Sequence, residues 1–97
     1  MQPVVTHDEA GGRFVVRVGS EVAELTYQWR GRAMDLYHTE VPPAFRGQGI
    51  AERLADAAFN YADAHGLSVI PSCPYISGVY LTRHPERQRL VAGDDAG

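Results

Sequence analysis

The sequence predicts an α+β domain: a four-stranded antiparallel meander, a long helix, a fifth strand parallel to the fourth, and a short C-terminal helix. Three observations carry this reading. Stretches of two-residue periodicity are separated by very short turns, and strands joined so closely run antiparallel. The period becomes helical after two consecutive prolines. A short apolar run then follows a glycine, and this strand–helix–strand order is a crossover that allows strands four and five to lie parallel.

The elements follow in order. "PVVTHD" is short and β-branched, and "AGG" turns the chain into "RFVVRV", which sets Phe14, Val16 and Val18 on one face. "GS" leads into "EVAELTYQW", where Ala23, Leu25, Tyr27 and Trp29 alternate with Val22, Glu24, Thr26 and Gln28. "RGR" turns back into "AMDLYHTEV", with Met34, Leu36, His38 and Glu40 expected on one face and Asp35, Tyr37, Thr39 and Val41 on the other. Pro42 and Pro43 end the ladder because proline donates no hydrogen bond. From about Gly47 to His65, apolar Ile50, Leu54, Ala57, Ala58, Tyr61 and Ala62 fall at helical spacing, and Gly66 closes the helix as a left-handed cap. "LSVI" is a buried strand. "PSCP" opens a second helix, "YISGVYLTRH", with Pro74 at its first position and Pro85 as its stop.

Composition narrows the function. The 97 residues form one domain, expected over residues 1–92, with a polar tail at 93–97 expected to fray. A net charge of −3 with scattered arginines and no lysine disfavours nucleic acid, whose backbone needs a basic stripe. No apolar run is long enough for a signal peptide or a membrane span, so a soluble cytoplasmic protein is expected. The single cysteine excludes an intramolecular disulfide. No set of histidine, cysteine and carboxylate residues has metal-ligand spacing, and no metal is expected.

The segment "VPPAFRGQGIAERL" places two glycines where a helix must begin. Glycine lets an anion approach the backbone closely, and the unpaired N–H groups and helix dipole face that anion, with Arg46 adding a full charge. A tight turn without a ligand would use the same residues. A dinucleotide fingerprint is excluded because Glu52 stands where its third glycine or alanine belongs, and the lysine of a P-loop is missing.

What remains is Arg46-x-x-Gly49-x-Ala51 between a strand and a long helix, which resembles the pyrophosphate motif of the GNAT superfamily of N-acetyltransferases. "HTEVPPAFRGQGIA" and "VIPSCPYISGVYLTRHPE" resemble its minimal subfamily of roughly 100 residues, and the likeness covers roughly residues 4 to 91. The resemblance implies a reduced GNAT-like fold and an enzyme that moves an acetyl group from acetyl-coenzyme A to an amine, a small amine or a protein lysine. It implies a cosubstrate diphosphate on the amides of Arg46, Gly47, Gln48, Gly49, Ile50 and Ala51, and a pantetheine arm along strand four near Thr39 and Val41. Larger relatives build an acceptor pocket from extra helices; the short turns here encode none, so the amine site is shallow or supplied by a partner.

Acetyl transfer needs a deprotonated amine, oxyanion stabilisation and a proton for the leaving thiolate. His38 is the candidate base because imidazole titrates near neutral pH, and Glu40, two residues on, is placed to hold it. A histidine packed on the sheet and a solvated edge carboxylate are the alternatives. Cys73 is expected at the N-cap of the second helix near the acetyl group, as an acyl relay, as a lining residue, or as a small buried apolar residue. Tyr80 stands where the resemblance implies a phenol that protonates the thiolate, with core packing as its alternative and Tyr75 nearby. A coenzyme A binding module with little catalysis and a cysteine-dependent acyl-transfer or thioesterase enzyme are the competing readings.

Overall fold

The computed structural model describes residues 4–93. Five strands, β1 (Thr6–Asp8), β2 (Arg13–Val18), β3 (Glu21–Arg30), β4 (Ala33–Glu40) and β5 (Ser68–Ile70), form one sheet in the order β1-β2-β3-β4-β5. The first four pair antiparallel and β5 lies parallel to β4, so the expected α+β arrangement is the observed one. The first strand begins later than expected, at Thr6. Residues 94–97 of the expected tail lie outside the described residues.

The long helix α1 spans Ile50–Ala64. It ends on a Schellman pair: Leu67 N–H donates to Ala62 O at 2.9 Å and Gly66 N–H to Asp63 O at 3.4 Å, which requires the positive φ of 65° that Gly66 adopts. Its buried face is Ile50, Leu54, Ala55, Ala58, Phe59 and Ala62, rotated from the expected stripe, while Ala57 and Tyr61 are half-buried. The cause is a second flank. The C-terminal segment packs beside the helix as well as the sheet beneath it, with the Tyr80 ring 5.1 Å from Phe59. Sheet side chains Phe14, Val16, Leu25, Met34 and Leu36 complete the core.

The C-terminal helix departs from a regular one. After Pro74 the chain makes a wide π turn over Ile76–Tyr80, where Leu81 N–H reaches back to Ile76 O, before one α turn, α2 (Leu81–Arg83), and a 3-10 segment, Pro85–Leu90. Ile76, Val79 and Gly78 are weak helix formers, and the extra residue in the turn swings Tyr80 into the core.

One irregularity reorders the site. The β3–β4 register runs Trp29↔Met34 and Tyr27↔Leu36, then jumps to Thr26↔His38 and Leu25↔Thr39. Tyr37 is therefore the extra residue of a β-bulge, and it is 47 % exposed. The inserted residue corrects the expected faces: Met34 and Leu36 point into the core, but Thr39 continues that face in place of His38. His38 and Glu40 lie on the outer face with Thr26 and Glu24, their cross-strand partners.

Asp35 is the buried charge of the outer face. Its Oδ2 accepts from Gln28 Nε2 at 3.0 Å and Arg30 Nε at 2.8 Å, while Oδ1 has no partner among the described residues. Burial works to raise its pKa, but the hydrogen bonds from Arg30 and Gln28 help to outweigh it and hold the carboxyl below its ordinary range.

Candidate functional site

Parallel pairing of β4 with β5 covers only Ala33↔Ser68, Met34↔Val69 and Asp35↔Ile70. Pro71 then breaks β5, and one last bond crosses, Cys73 N–H to Leu36 O at 2.8 Å. Beyond it the strands fork. The β5-facing edge of β4 from the bulge onward opens into a cleft of about 440 Å³, lined on the strand side by His38, Thr39, Glu40 and Val41 and on the helix side by Arg46, Ala51 and Tyr75. The structure thus brings six of the sequence-selected residues together around one opening.

The sulfur of Cys73 sits at the crotch of the fork. Cys73 is 4 % exposed, and its Sγ lies 3.3 Å from the Thr39 hydroxyl. Its carbonyl accepts from Ser77 N–H at 3.1 Å, the first bond of the following helical turn, so it occupies the expected cap position. The bulge is what turns Thr39 toward it.

The glycine segment closes the far end. Pro43–Phe45 forms a 3-10 turn, after which Gly47 and Gly49 adopt φ of 82° and 75°, the left-handed region that L side chains avoid. A Cβ built on either would meet nothing within 4 Å, so these positions border open space. The first α-helical bond is Arg53 N–H to Gly49 O at 3.1 Å, and α1 has no side-chain cap. The amides of its first turn accordingly face outward without intrahelical partners. They border a second cavity of about 230 Å³, which shares Val41, Arg46, Ala51 and Tyr75 with the first and adds Gly47, Gly49 and Ile50. Gln48 lines a third, of about 290 Å³, on the outer side of the helix start. Arg46 folds back, its Nε donating to Val41 O at 3.2 Å, and ties the prolines to the end of β4.

The remaining selected side chains divide. His38 Nε2 stands 3.7 Å from Glu40 Oε1, and both side chains are more than half exposed. Tyr80 is fully buried and lines none of these three cavities; its hydroxyl donates to Asp56 Oδ1 at 2.6 Å, and burial, then the Asp56 carboxylate, push its pKa up. The phenol that borders the opening is Tyr75, which lines the first and second cavities; burial, then Glu52, raise its pKa.

Sequence reasoning passed over Tyr75 as a site residue and missed a charged cluster. Glu52, in the first turn of α1, contacts His84 Nε2 and lies 3.8 Å from Arg83 Nη1. His84 Nδ1 is 3.5 Å from Glu86 Oε2, and the hydrogen bond to Glu52 raises the histidine pKa. Glu52 and His84 are 32 residues apart, and no local spacing signals their meeting. Among the described residues no group of three or more His, Cys, Asp or Glu could hold a metal ion, and no helix is long and apolar enough to cross a membrane.

Comparison with known proteins agrees with this geometry. Residues 13–90 match the family model described as GCN5-related N-acetyl-transferase. The chain is 40 % identical over 89 residues to Protein NATD1 of Gallus gallus, covering 89 % of this chain and 80 % of that protein. Protein NATD1 of Homo sapiens is 40 % identical, with 89 % and 78 % covered, and that of Bos taurus 43 %, with the same coverage. A forked β4–β5 pair beside a glycine-opened helix, on a chain that matches along most of its length, makes this protein a member of the GCN5-related N-acetyltransferase family.

Proposed function

We propose that this protein is an acetyl-coenzyme A-dependent N-acetyltransferase whose acceptor is an amine, a small amine or an exposed lysine of a protein. The observation that carries the reading is the continuity of the opening. The unpaired edge of β4 runs into the open glycine segment through two cavities that share Val41, Arg46, Ala51 and Tyr75. A long ligand with amides at one end and a diphosphate at the other fits such a channel: the free strand edge offers hydrogen-bond partners, and the helix start offers N–H groups and positive potential.

Acetyl-coenzyme A supplies a thioester activated for attack by an amine. The chain supplies the rest. Amides of Gly47 to Ala51 hold the diphosphate, with Arg46 at its lip, and backbone groups near Thr39 and Val41 hold the arm. His38, oriented by Glu40, takes a proton from the ammonium of an acceptor arriving over the outer face. Tyr75, kept protonated by its burial and by Glu52, gives its phenolic proton to the thiolate as the C–S bond breaks, and the surplus proton left on the attacking nitrogen restores the phenol. Tyr80 serves the core in this reading. Cys73 lines the fork; its Sγ beside the Thr39 hydroxyl also supports a second reading, acyl transfer through the thiol.

Calorimetry with coenzyme A tests the binding half: wild type saturates, and Gly49→Val, which puts a branched side chain at φ 75°, binds more weakly by well over the tenfold that ~1.4 kcal/mol represents. Equal affinity in a folded variant removes the assignment. Thiol release with a panel of amines tests catalysis. An added acetyl mass with acetyl-coenzyme A alone, lost in Cys73→Ser, would instead establish the thiol route.

A further inference from the structure

A carboxylate stands where the site needs positive potential. Glu52 borders both the cavity containing Gly47 and Gly49 and the outer one that adds Gln48. In the first turn of a helix a glutamate is favoured by the dipole, so it competes with an anion for the same field and repels it directly. The fold brings two cationic groups onto this carboxylate from the C-terminal segment: His84 Nε2 in hydrogen-bond contact and Arg83 Nη1 at 3.8 Å. The His84 ring is fixed from two further sides, by the Tyr80 ring at 4.5 Å and by Glu86 Oε2 at 3.5 Å from Nδ1. Arg83 is 63 % exposed at its side chain and His84 26 %, so the histidine is the better-held of the two.

We propose that His84 is an affinity-setting residue of the diphosphate site: it acts through Glu52, setting a second positive charge against the carboxylate when protonated and leaving it to Arg83 alone when neutral. This rests on the coenzyme A reading and adds the regulation of that site. The groups facing His84 are Glu52 and Asp56 from α1, Glu86 from the following 3-10 segment, and the Tyr80 ring. The carboxylates all favour the imidazolium, and the hydrogen bond to Glu52 raises the histidine pKa from its ordinary value. Anion binding is therefore tighter on the acid side of that titration and weaker on the alkaline side, with a proton taken up on binding where His84 is neutral.

The test uses dephospho-coenzyme A, which keeps the diphosphate but lacks the terminal phosphate that itself titrates near neutrality. Its Kd is measured by calorimetry from about pH 6 to about pH 9, a range that spans histidine titration. Wild type weakens by about three- to tenfold across the range, the size expected for one unit charge several ångströms from the ligand at a protein surface. His84→Gln binds weakly throughout, Glu52→Gln binds tightly throughout, and the double variant returns to the tight level. That rescue is what separates charge compensation from a structural role, since a histidine needed only to anchor the C-terminal segment would leave the double variant weak. Binding with a wild-type pH profile in His84→Gln, or no rescue in the double variant, overturns this inference and leaves the cosubstrate reading standing. Absence of binding by both dephospho-coenzyme A and coenzyme A at every pH overturns the two together.

Discussion

The two halves of β4 obey different rules. From Ala33 to Leu36 the strand is buried, paired with β3 on one side and with β5 and Cys73 on the other. From Tyr37 to Glu40 it keeps β3 but loses β5, and its side chains become exposed or half-buried. The first half is held by packing, with Met34 and Leu36 at 0 % exposure. The second is held by one ladder, by the Thr39 contact to Cys73 Sγ and, just past its end, by the Arg46 bond to Val41 O. A bulge at the boundary lets one strand serve as core and as open edge, because the extra residue reverses the alternation just where the neighbouring strand departs.

The difference can be broken at its buried end with the largest effect. Leu36→Ala empties a fully buried site and should cost about 2–5 kcal/mol in chemical denaturation, whereas Glu40→Ala on the open half should stay within about 0.5 kcal/mol. Tyrosines sharpen the contrast next. Tyr80→Phe leaves the Asp56 oxygen without its partner and should cost about 1–3 kcal/mol with acetyl transfer per folded molecule retained. Tyr75→Phe should leave the denaturation midpoint nearly unchanged and lower turnover; the opposite split would return the proton-donor role to Tyr80.

Deleting Tyr37 removes the bulge while leaving His38 opposite Thr26 and Thr39 opposite Leu25. The variant should fold, with a regular β4 and weaker coenzyme A binding by roughly severalfold, a change of about 1 kcal/mol. A variant that unfolds would show instead that the irregularity holds the core together.

The smallest effect is one of pH, and it has opposite signs at the two ends of the sheet. His84, at the helix-start end, has a raised pKa, caused first by its bond to Glu52; its stabilisation is complete below the ordinary value of 6.5 and disappears as pH rises through the folded value. His7 on β1 stacks on Phe14 at 4.1 Å with Nε2 2.6 Å from the Tyr27 hydroxyl, and burial lowers its pKa. Its contribution is complete above 6.5 and is lost as pH falls through the folded value. Melting temperature against pH should therefore fall less steeply on the alkaline side in His84→Gln, and less steeply on the acid side in His7→Gln, where carboxylates such as Asp35 keep the rest of the slope.

Much of this was legible beforehand. The meander, the crossover helix and the parallel fifth strand follow from period, prolines and glycines, because those signals are local. Arg46 and the two glycines are equally local, since a positive φ needs glycine whatever surrounds it. The faces of β4 were misread at His38. Alternation assumes no inserted residue, and neither Tyr37 nor His38 is apolar enough to reveal which of them the ladder skips. The stripe on α1 was misread at Ala57 and Tyr61 because a second packing surface, the C-terminal segment, draws Ala55 and Phe59 inward.

The sequence by itself determined which segments are strands, that a long helix follows the two prolines, and that glycines lead into it, because each depends on backbone preferences acting within a few residues. Only the tertiary structure decided which phenol meets the opening, which side of β4 carries His38, and that His84 contacts Glu52. Those outcomes depend on a bulge, a widened helical turn and a contact across 32 residues. Each is chosen by the packing of the whole chain, where a shift of one residue changes which side chain faces the core.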